Sequence, residues 1–272
     1  MAGRTVIITG ASDGIGAAAA RVLKAAGDTV VLVGRSPQKT AAIGRELRAE
    51  HHVTDFSRLE EVRELAATLL EGHQRIDVLA NNAGGIMAER QVTTDGFEKT
   101  LQVNHLAPFL LTTLLLPRLV ENRASVINTS SAAARIFGDI DIDDLGNAKS
   151  YTPNKAYGDS KLATILFTRE LARRFGDSGI STAAFHPGVV GTSFAKGSTS
   201  PMRVMYRMFG RFLLSPEKGA DTLLWLASTT PGTDWENGGF YTKRVVDRTH
   251  PQADDAALAA TLWERSSALV HS

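Results

Sequence analysis

The chain runs from a short apolar stretch straight into a glycine-rich turn: "TVIITGASDGIG", with Gly10, Gly14 and Gly16 between the run Val6–Ile8 and the alanine-rich "AAAARVLKAAG". This junction constrains the fold more than any other feature. A β-branched run buried on both sides, then glycines, then a helical pattern is the opening of a β–α–β unit, whose parallel strands need long crossover connections. The three glycines also admit close backbone approach at a helix N-terminus. That is where a pyrophosphate binds, although the spacing G-x-x-x-G-x-G differs from G-x-G-x-x-G.

The rest of the chain repeats the alternation. "TVVLVG", "RIDVLANNAG", "ASVINTSS" and "STAAFHPG" read as further buried strands, with "HHVTDF" a weaker one and "GGFYTKRV" a seventh. Between them lie the helical patterns "RLEEVRELAATLLE", "DGFEKTLQVNHLAPFLLTTLLLPRLVE" and the segment after Tyr157. The expectation is an α/β fold: a single doubly wound Rossmann-type domain over residues 1–272. It would have about seven mostly parallel strands and helices on both faces. Two stretches break the pattern. "ARIFGDIDIDDLGNAKSYT" is polar and loop-like. Residues 192–216, rich in Met and aromatic residues, suit a substrate-side lid. There Met202, Met205, Tyr206, Met208, Phe209 and Phe212 fit a cover over an apolar substrate as well as the buried stripe of a short helix.

Composition narrows the chemistry. With no cysteine, disulfides, thiolate nucleophiles and zinc–thiolate centres are excluded, and the seven scattered histidines show no metal-ligand spacing. No metal site is expected. A formal net charge of +1 provides no broad field for nucleic acid. The most apolar run, "LAPFLLTTLLLP", is shorter than the roughly 20 residues a bilayer requires. The opening "MAGRTVIITG" enters a strand at once, so no signal peptide and a cytoplasmic location are expected.

Two further features carry chemistry. The second strand ends in "VLVGRSPQK", where an acidic residue would accept from the ribose 2′-hydroxyl of NAD. Arg35 stands there and suits a 2′-phosphate, so NADP(H) is favoured over NAD(H), with Ser36 and Lys39 as helpers. In "TPNKAYGDSKLA", Tyr157 and Lys161 are four apart and share a helix face. A cation beside a phenol favours the phenolate, which suits general acid–base work.

"TGASDGIG", "NNAG" (Asn81–Gly84), Asn104 in "LQVNHL", "NTSS", "YGDSK" and "HPGVVGT", in this order over nearly the whole chain, resemble the short-chain dehydrogenase/reductase family. "KLATILFTRELARRF" and "AFHPGVVGT" resemble its retinol dehydrogenase-like branch, which acts on lipophilic carbonyls. The resemblance implies an NAD(P)-dependent oxidoreductase moving a hydride between nicotinamide and an apolar aldehyde, ketone or alcohol. It implies a catalytic set of Asn104, Ser131, Tyr157 and Lys161, with Ser131 rather than Ser130 meeting the substrate oxygen. Lys161 would also hold the nicotinamide ribose, and Asn104 a water linking Lys161 to solvent. Cofactor contacts are implied at Gly10, Ser12, Asp13, Gly14, Ile15, Gly16, Arg35, Asp55, Phe56, Asn82, Ala83, Gly84, Tyr157, Lys161, Pro187, Gly188, Val190 and Thr192. Family members also commonly form homodimers or homotetramers. The competing readings are a non-catalytic nucleotide-binding regulator and an interaction protein on the same fold.

Overall fold

The structure is a computed structural model and describes residues 3–190 and 214–271. Its sheet has eight strands in the order β3-β2-β1-β4-β5-β6-β7-β8. They are β1 (Thr5–Thr9), β2 (Thr29–Gly34), β3 (Glu50–Val53), β4 (Val78–Asn81), β5 (Ser125–Thr129), β6 (Ser181–His186), β7 (Gly239–Thr242) and β8 (Val245–Val246). All pairings are parallel except β7–β8. The one strand expected over "GGFYTKRV" is therefore two, which makes eight strands rather than about seven. Lys243 and Arg244 both have positive φ (53° and 64°), so the chain reverses there and β8 returns antiparallel.

Alternation along each strand splits the core into two layers. Val6, Ile8, Val30, Leu32, Ile127 and Phe185 pack under α1 (Gly14–Ala25) and α8 (Pro216–Ser228). Ile7, Val31, Leu79 and Val126 pack under α3 (Leu59–Gly72) and α5 (Ala107–Glu121). The second face continues under α7 (Pro153–Phe175), which the C-terminal α9 (Ala256–Val270) covers in turn. α2 (Pro37–Leu47) starts at Ser36, whose hydroxyl accepts from the Lys39 N–H, with Pro37 in the first helical position. The polar stretch after Ser131, expected as loop, contains one short helix, α6 (Ala133–Phe137).

The helix before β5 is continuous from Lys99 to Glu121: α4 (Lys99–Leu101), a π turn over Gln102–Leu106, then α5. It is long and apolar enough to cross a bilayer, which the shorter run "LAPFLLTTLLLP" is not. Two thirds of its most apolar window is buried inside the protein, as in a core helix.

Buried polar side chains fix this helical layer on the sheet. Asn81 Nδ2 donates to Thr112 Oγ1 and Asn128 Oδ1, both at 3.0 Å, and Asn128 Nδ2 donates to Thr168 Oγ1 at 3.0 Å. These bonds tie β4 and β5 to α5 and α7. Each group would be costly to leave unpaired, so the register of α7 over β5 is strongly held.

Candidate active site

Apart from Tyr157 and Lys161 on α7, every described segment expected to touch a cofactor leaves the carboxyl end of a parallel strand. The glycine turn follows β1, Arg35 follows β2, Asp55 and Phe56 follow β3, Asn82–Gly84 follow β4, and Pro187–Val190 follow β6. Strand order turns back between β1 and β4, the place where open α/β sheets leave a ligand crevice.

The glycine turn is packed to its limit. Gly10 has φ +67°, and a β-carbon there would lie 2.9 Å from Ala83 Cα. On Gly16 it would strike the Gly10 carbonyl oxygen and sit 2.8 Å from Asn82 Nδ2. Asp13 caps α1, its carboxylate accepting from Gly14 N–H at 2.8 Å. Asn82 is locked from both sides: its Nδ2 donates to Thr9 O, and its Oδ1 accepts from Thr129 Oγ1. Thr9 is fully buried, and its hydroxyl accepts from the Asn82 and Ala83 N–H groups, both at 3.0 Å. Sequence reasoning missed this support, although a threonine closing an apolar strand just before the turn was the available signal. Glycine lets this turn close against Ala83 and Asn82 and brings its backbone to the N-terminus of α1, a placement that fits a pyrophosphate.

At the adenosine end, Ser12 packs against Gly34, where a β-carbon would lie 2.8 Å from Ser12 Cβ. Arg35 is exposed at the end of β2. Lys39, one turn into α2, reaches back across the groove to Asp13 at 2.6 Å. Asp55 turns to its own neighbour, its Oδ1 accepting from the Ser57 N–H and hydroxyl. Phe56 is buried, and its carbonyl accepts from Gln102 Nε2. At the other end, Ile15 and Val190 converge on Gly219 of α8, where a β-carbon would lie 3.0 Å from one and 2.6 Å from the other. Gly188 has φ +83°. Gly219 was not singled out from the sequence. Thr192 and the six Met and aromatic residues from Met202 to Phe212 lie outside the described residues.

The four expected catalytic residues lie on β5's exit, the π turn and α7. Thr152 caps α7, accepting from Lys155 N–H, with Pro153 in the first helical position, so the helix starts one turn before Tyr157. Tyr157 is half-buried, and Lys161 Nζ lies 5.7 Å from its ring centroid. Lys161 is 3% exposed, and its ammonium donates to Thr129 O at 2.8 Å. Burial disfavours the charged amine and lowers its pKa from 10.5 to about 8.

Asn104 sits inside the π turn, a feature frequent at functional sites. Its Oδ1 accepts from Gly85 N–H, and its Nδ2 donates to Gly85 O and Ser160 Oγ. A β-carbon on Gly84 would lie 2.9 Å from Asn104 Oδ1 and 3.2 Å from Lys161 Nζ, so the three meet at one point.

The two serines differ sharply. Ser130 is 1% exposed, and its hydroxyl donates to the Lys161 carbonyl at 2.7 Å. Ser131 is half-buried, and its hydroxyl oxygen accepts from Ala133 N–H at 3.1 Å.

Comparison with known proteins follows the same outline. The short chain dehydrogenase family model matches residues 4–203. The chain is 44% identical to a protein of Streptomyces sp. (strain C5) provisionally named a daunorubicin C-13 ketoreductase, over 98% of this chain and 93% of that one. It is 38% identical to human retinol dehydrogenase 13, over 98% of this chain and 85% of that one. A crystal structure from Mycobacterium paratuberculosis matches with a TM-score of 0.80 at 36% identity, covering 99% of this chain and 94% of that one. A metagenomic short-chain oxidoreductase in complex with NADP matches at 0.64 and 26% identity, covering 85% of this chain and 93% of that one.

Proposed function

The chain belongs to the short chain dehydrogenase family, and from that premise we propose that it moves a hydride between NADP(H) and an apolar aldehyde, ketone or alcohol, with Tyr157 as general acid and base. The observation that carries this reading is the buried Lys161 ammonium beside the Tyr157 ring, one strand exit away from the half-buried Ser131. A nicotinamide bound in the cradle supplies or accepts the hydride.

The chain's own residues do the rest. Ser131 holds the substrate oxygen: its own oxygen is engaged by Ala133 N–H, which leaves the rotatable hydroxyl hydrogen to donate. Tyr157 gives its phenolic proton to that oxygen during reduction and takes one during oxidation. The Lys161 ammonium favours the phenolate through its charge and contributes donors for the nicotinamide ribose. Asn104 braces the Gly84–Gly85 segment against α7. Gly10, Ser12, Asp13, Gly14, Ile15 and Gly16 cradle the phosphates, Asn82, Ala83 and Gly84 line the adenosine side, and Pro187, Gly188 and Val190 border the nicotinamide.

The preference for NADP(H) rests on Arg35, exposed where β2 ends, with Lys39 four positions on in the chain. The NADP-bound structural relative is in keeping with it. An apolar substrate agrees with the relatives' names, a retinol dehydrogenase and a daunorubicin ketoreductase. The test is a panel of aromatic and long-chain aldehydes, ketones and alcohols, followed by nicotinamide absorbance with each cofactor in both oxidation states. Turnover with NADPH or NADP is the expected result. Tight NADPH binding with no turnover anywhere on the panel would favour the nucleotide-binding regulator instead.

A further inference from the structure

Between Ser131 and Tyr157 the chain makes a long excursion, and one carboxylate on α7 holds it. Asp159 lies midway between Tyr157 and Lys161 and is 7% exposed. Its Oδ1 accepts from Asp139 N–H at 2.7 Å. Its Oδ2 accepts from Asn147 Nδ2 at 3.0 Å and from Lys155 Nζ at 2.8 Å. Lys155 Nζ also donates to Asp139 O at 2.6 Å, so both backbone groups of Asp139 are bound to α7. Asn147 is itself 4% exposed and has φ +51°, a conformation that asparagine tolerates better than most residues. The carboxylate thus gathers the start and the far end of the excursion onto one point of the helix.

The same stretch leads back to Ser131 with little slack. Ala133 N–H, which holds the Ser131 hydroxyl oxygen, opens α6. The end of α6 rests directly on Gly158, where a β-carbon would lie 2.6 Å from the Phe137 carbonyl carbon and 2.7 Å from Gly138 N. Asp139, the next residue, is the one clamped by Asp159. A one-helix strut therefore joins the serine hydroxyl to the clamp. The other acids nearby have separate partners: Asp141 pairs with Lys149, Asp143 with Arg265, and Asp144 accepts from the Ala148 and Lys149 N–H groups.

We propose that Asp159 is a positioning residue, which pins the Ser131-to-Tyr157 excursion onto the helix of Tyr157 and so sets the serine hydroxyl against the phenol. This rests on the catalytic reading above and names the group that keeps its two oxygen-handling residues in register. Bond geometry in active sites is exacting, and a displacement of about 1 Å can reduce rate by about a hundredfold.

The test compares Asp159→Ala and Asp159→Asn with wild type, by amide hydrogen exchange, NADPH binding and kinetics with 9,10-phenanthrenequinone and benzaldehyde. Asp159→Ala should speed exchange of amides in 132–147 while leaving those of α1 and β1 alone. NADPH affinity should stay within about twofold, and kcat should fall about ten- to hundredfold with a smaller change in KM. Asp159→Asn retains an acceptor for Asp139 N–H, so it should recover part of both the protection and kcat. Unchanged exchange in 132–147 would overturn the clamp. Faster exchange with unchanged kcat would overturn the positioning role. If wild type turned over neither carbonyl, the kinetics would use a substrate found on the wider panel; no turnover anywhere on that panel would sink the catalytic reading and the positioning role with it, while exchange still judged the clamp. Should Asp159→Ala not fold, Asn147→Ala removes one of the three bonds and is expected to show the same pattern at smaller amplitude.

Discussion

On the dinucleotide side of the cleft, backbone meets backbone at the turn: Gly10 against Ala83 and Gly16 against the Gly10 carbonyl, with no space for a β-carbon at either. On the substrate side, side chains do the holding: Ser130 to the Lys161 carbonyl, Asn104 to Gly85 and Ser160, Asp159 to two donors from the excursion and one from α7. The first kind of construction follows from strand and turn geometry and is tolerant only of glycine. The second depends on individual polar groups, each replaceable with a graded effect. Mutations on the substrate side should therefore alter rate with binding preserved, and mutations on the dinucleotide side should alter binding with the chemistry preserved.

The sharpest test of that rule comes at Tyr157. Tyr157→Phe removes one exchangeable proton and little else. Turnover should fall about 10²–10⁴-fold, the usual worth of general acid–base catalysis, with NADPH affinity unchanged by fluorescence titration. Near-normal turnover would remove Tyr157 from the chemistry.

Next comes the pair of serines. Loss of one donor to a reacting oxygen typically costs about 10²–10³-fold in kcat. Ser131→Ala should show a loss of that order. Ser130→Ala should instead lose about 1 kcal/mol of stability, because its bond to the Lys161 carbonyl is buried and structural. The opposite ranking would place the substrate oxygen one residue away.

These expectations also mark what the sequence made legible. Strand-and-helix alternation, the glycine turn and the Tyr157–Lys161 spacing are periodic or local, and all are readable in a single chain. α2 was not, because its buried stripe is thin: Thr40, Ile43 and Gly44 are its buried residues. Ser36–Pro37 was its only clear signal. The β7–β8 reversal was hidden because Lys243 and Arg244 are not turn formers, yet both take positive φ. Asn81 and Asn128 stand out as polar residues in apolar strands. Their partners Thr112 and Thr168 depend on how helices sit over the sheet, which no spacing reveals. Asp159 binds residues 20 and 12 positions upstream, beyond the reach of any helical pattern.

A third expectation concerns the charge buried on the substrate side. Lys161 holds its proton to about pH 8 in the folded protein, against 10.5 when free. Below pH 8 folded and unfolded chains are both protonated and the burial penalty is fully felt. Between pH 8 and 10.5 the unfolded chain binds the proton that the folded chain has released, so stability rises with pH. The contribution is at most about 3.4 kcal/mol. Denaturant midpoints of wild type and Lys161→Met across this range isolate it from the other titrating groups. A flat difference would mean that the ammonium is better solvated than its surroundings suggest.

On the dinucleotide side, Arg35→Asp should weaken NADP(H) binding about tenfold or more. A charge-assisted hydrogen bond contributes about 1.5–3 kcal/mol, and the new carboxylate repels a 2′-phosphate while accepting from a 2′-hydroxyl. Turnover at saturating cofactor should hold. Equal affinity for NAD(H) and NADP(H) in wild type would remove Arg35 from phosphate recognition without touching the Tyr157 chemistry.

The smallest effect sits where the glycine turn meets that phosphate site. The Asp13 carboxylate does two things at once, capping α1 at Gly14 N–H and holding Lys39 at 2.6 Å across the groove. A bound 2′-phosphate would draw on the same ammonium and stand near the same negative charge. Asp13→Asn keeps the cap, since asparagine is as good a residue at that position. It also removes the charge and releases Lys39 toward the phosphate. Exposed ion pairs contribute about 0.2–1 kcal/mol, so NADP(H) should bind up to about fivefold more tightly while NAD(H) changes little. Both charges are about half exposed, so the gain should shrink as added salt screens them. If both cofactors shifted together, Asp13 would be acting through the helix cap alone. The dinucleotide side would then owe its phosphate discrimination to Arg35 without a competing carboxylate.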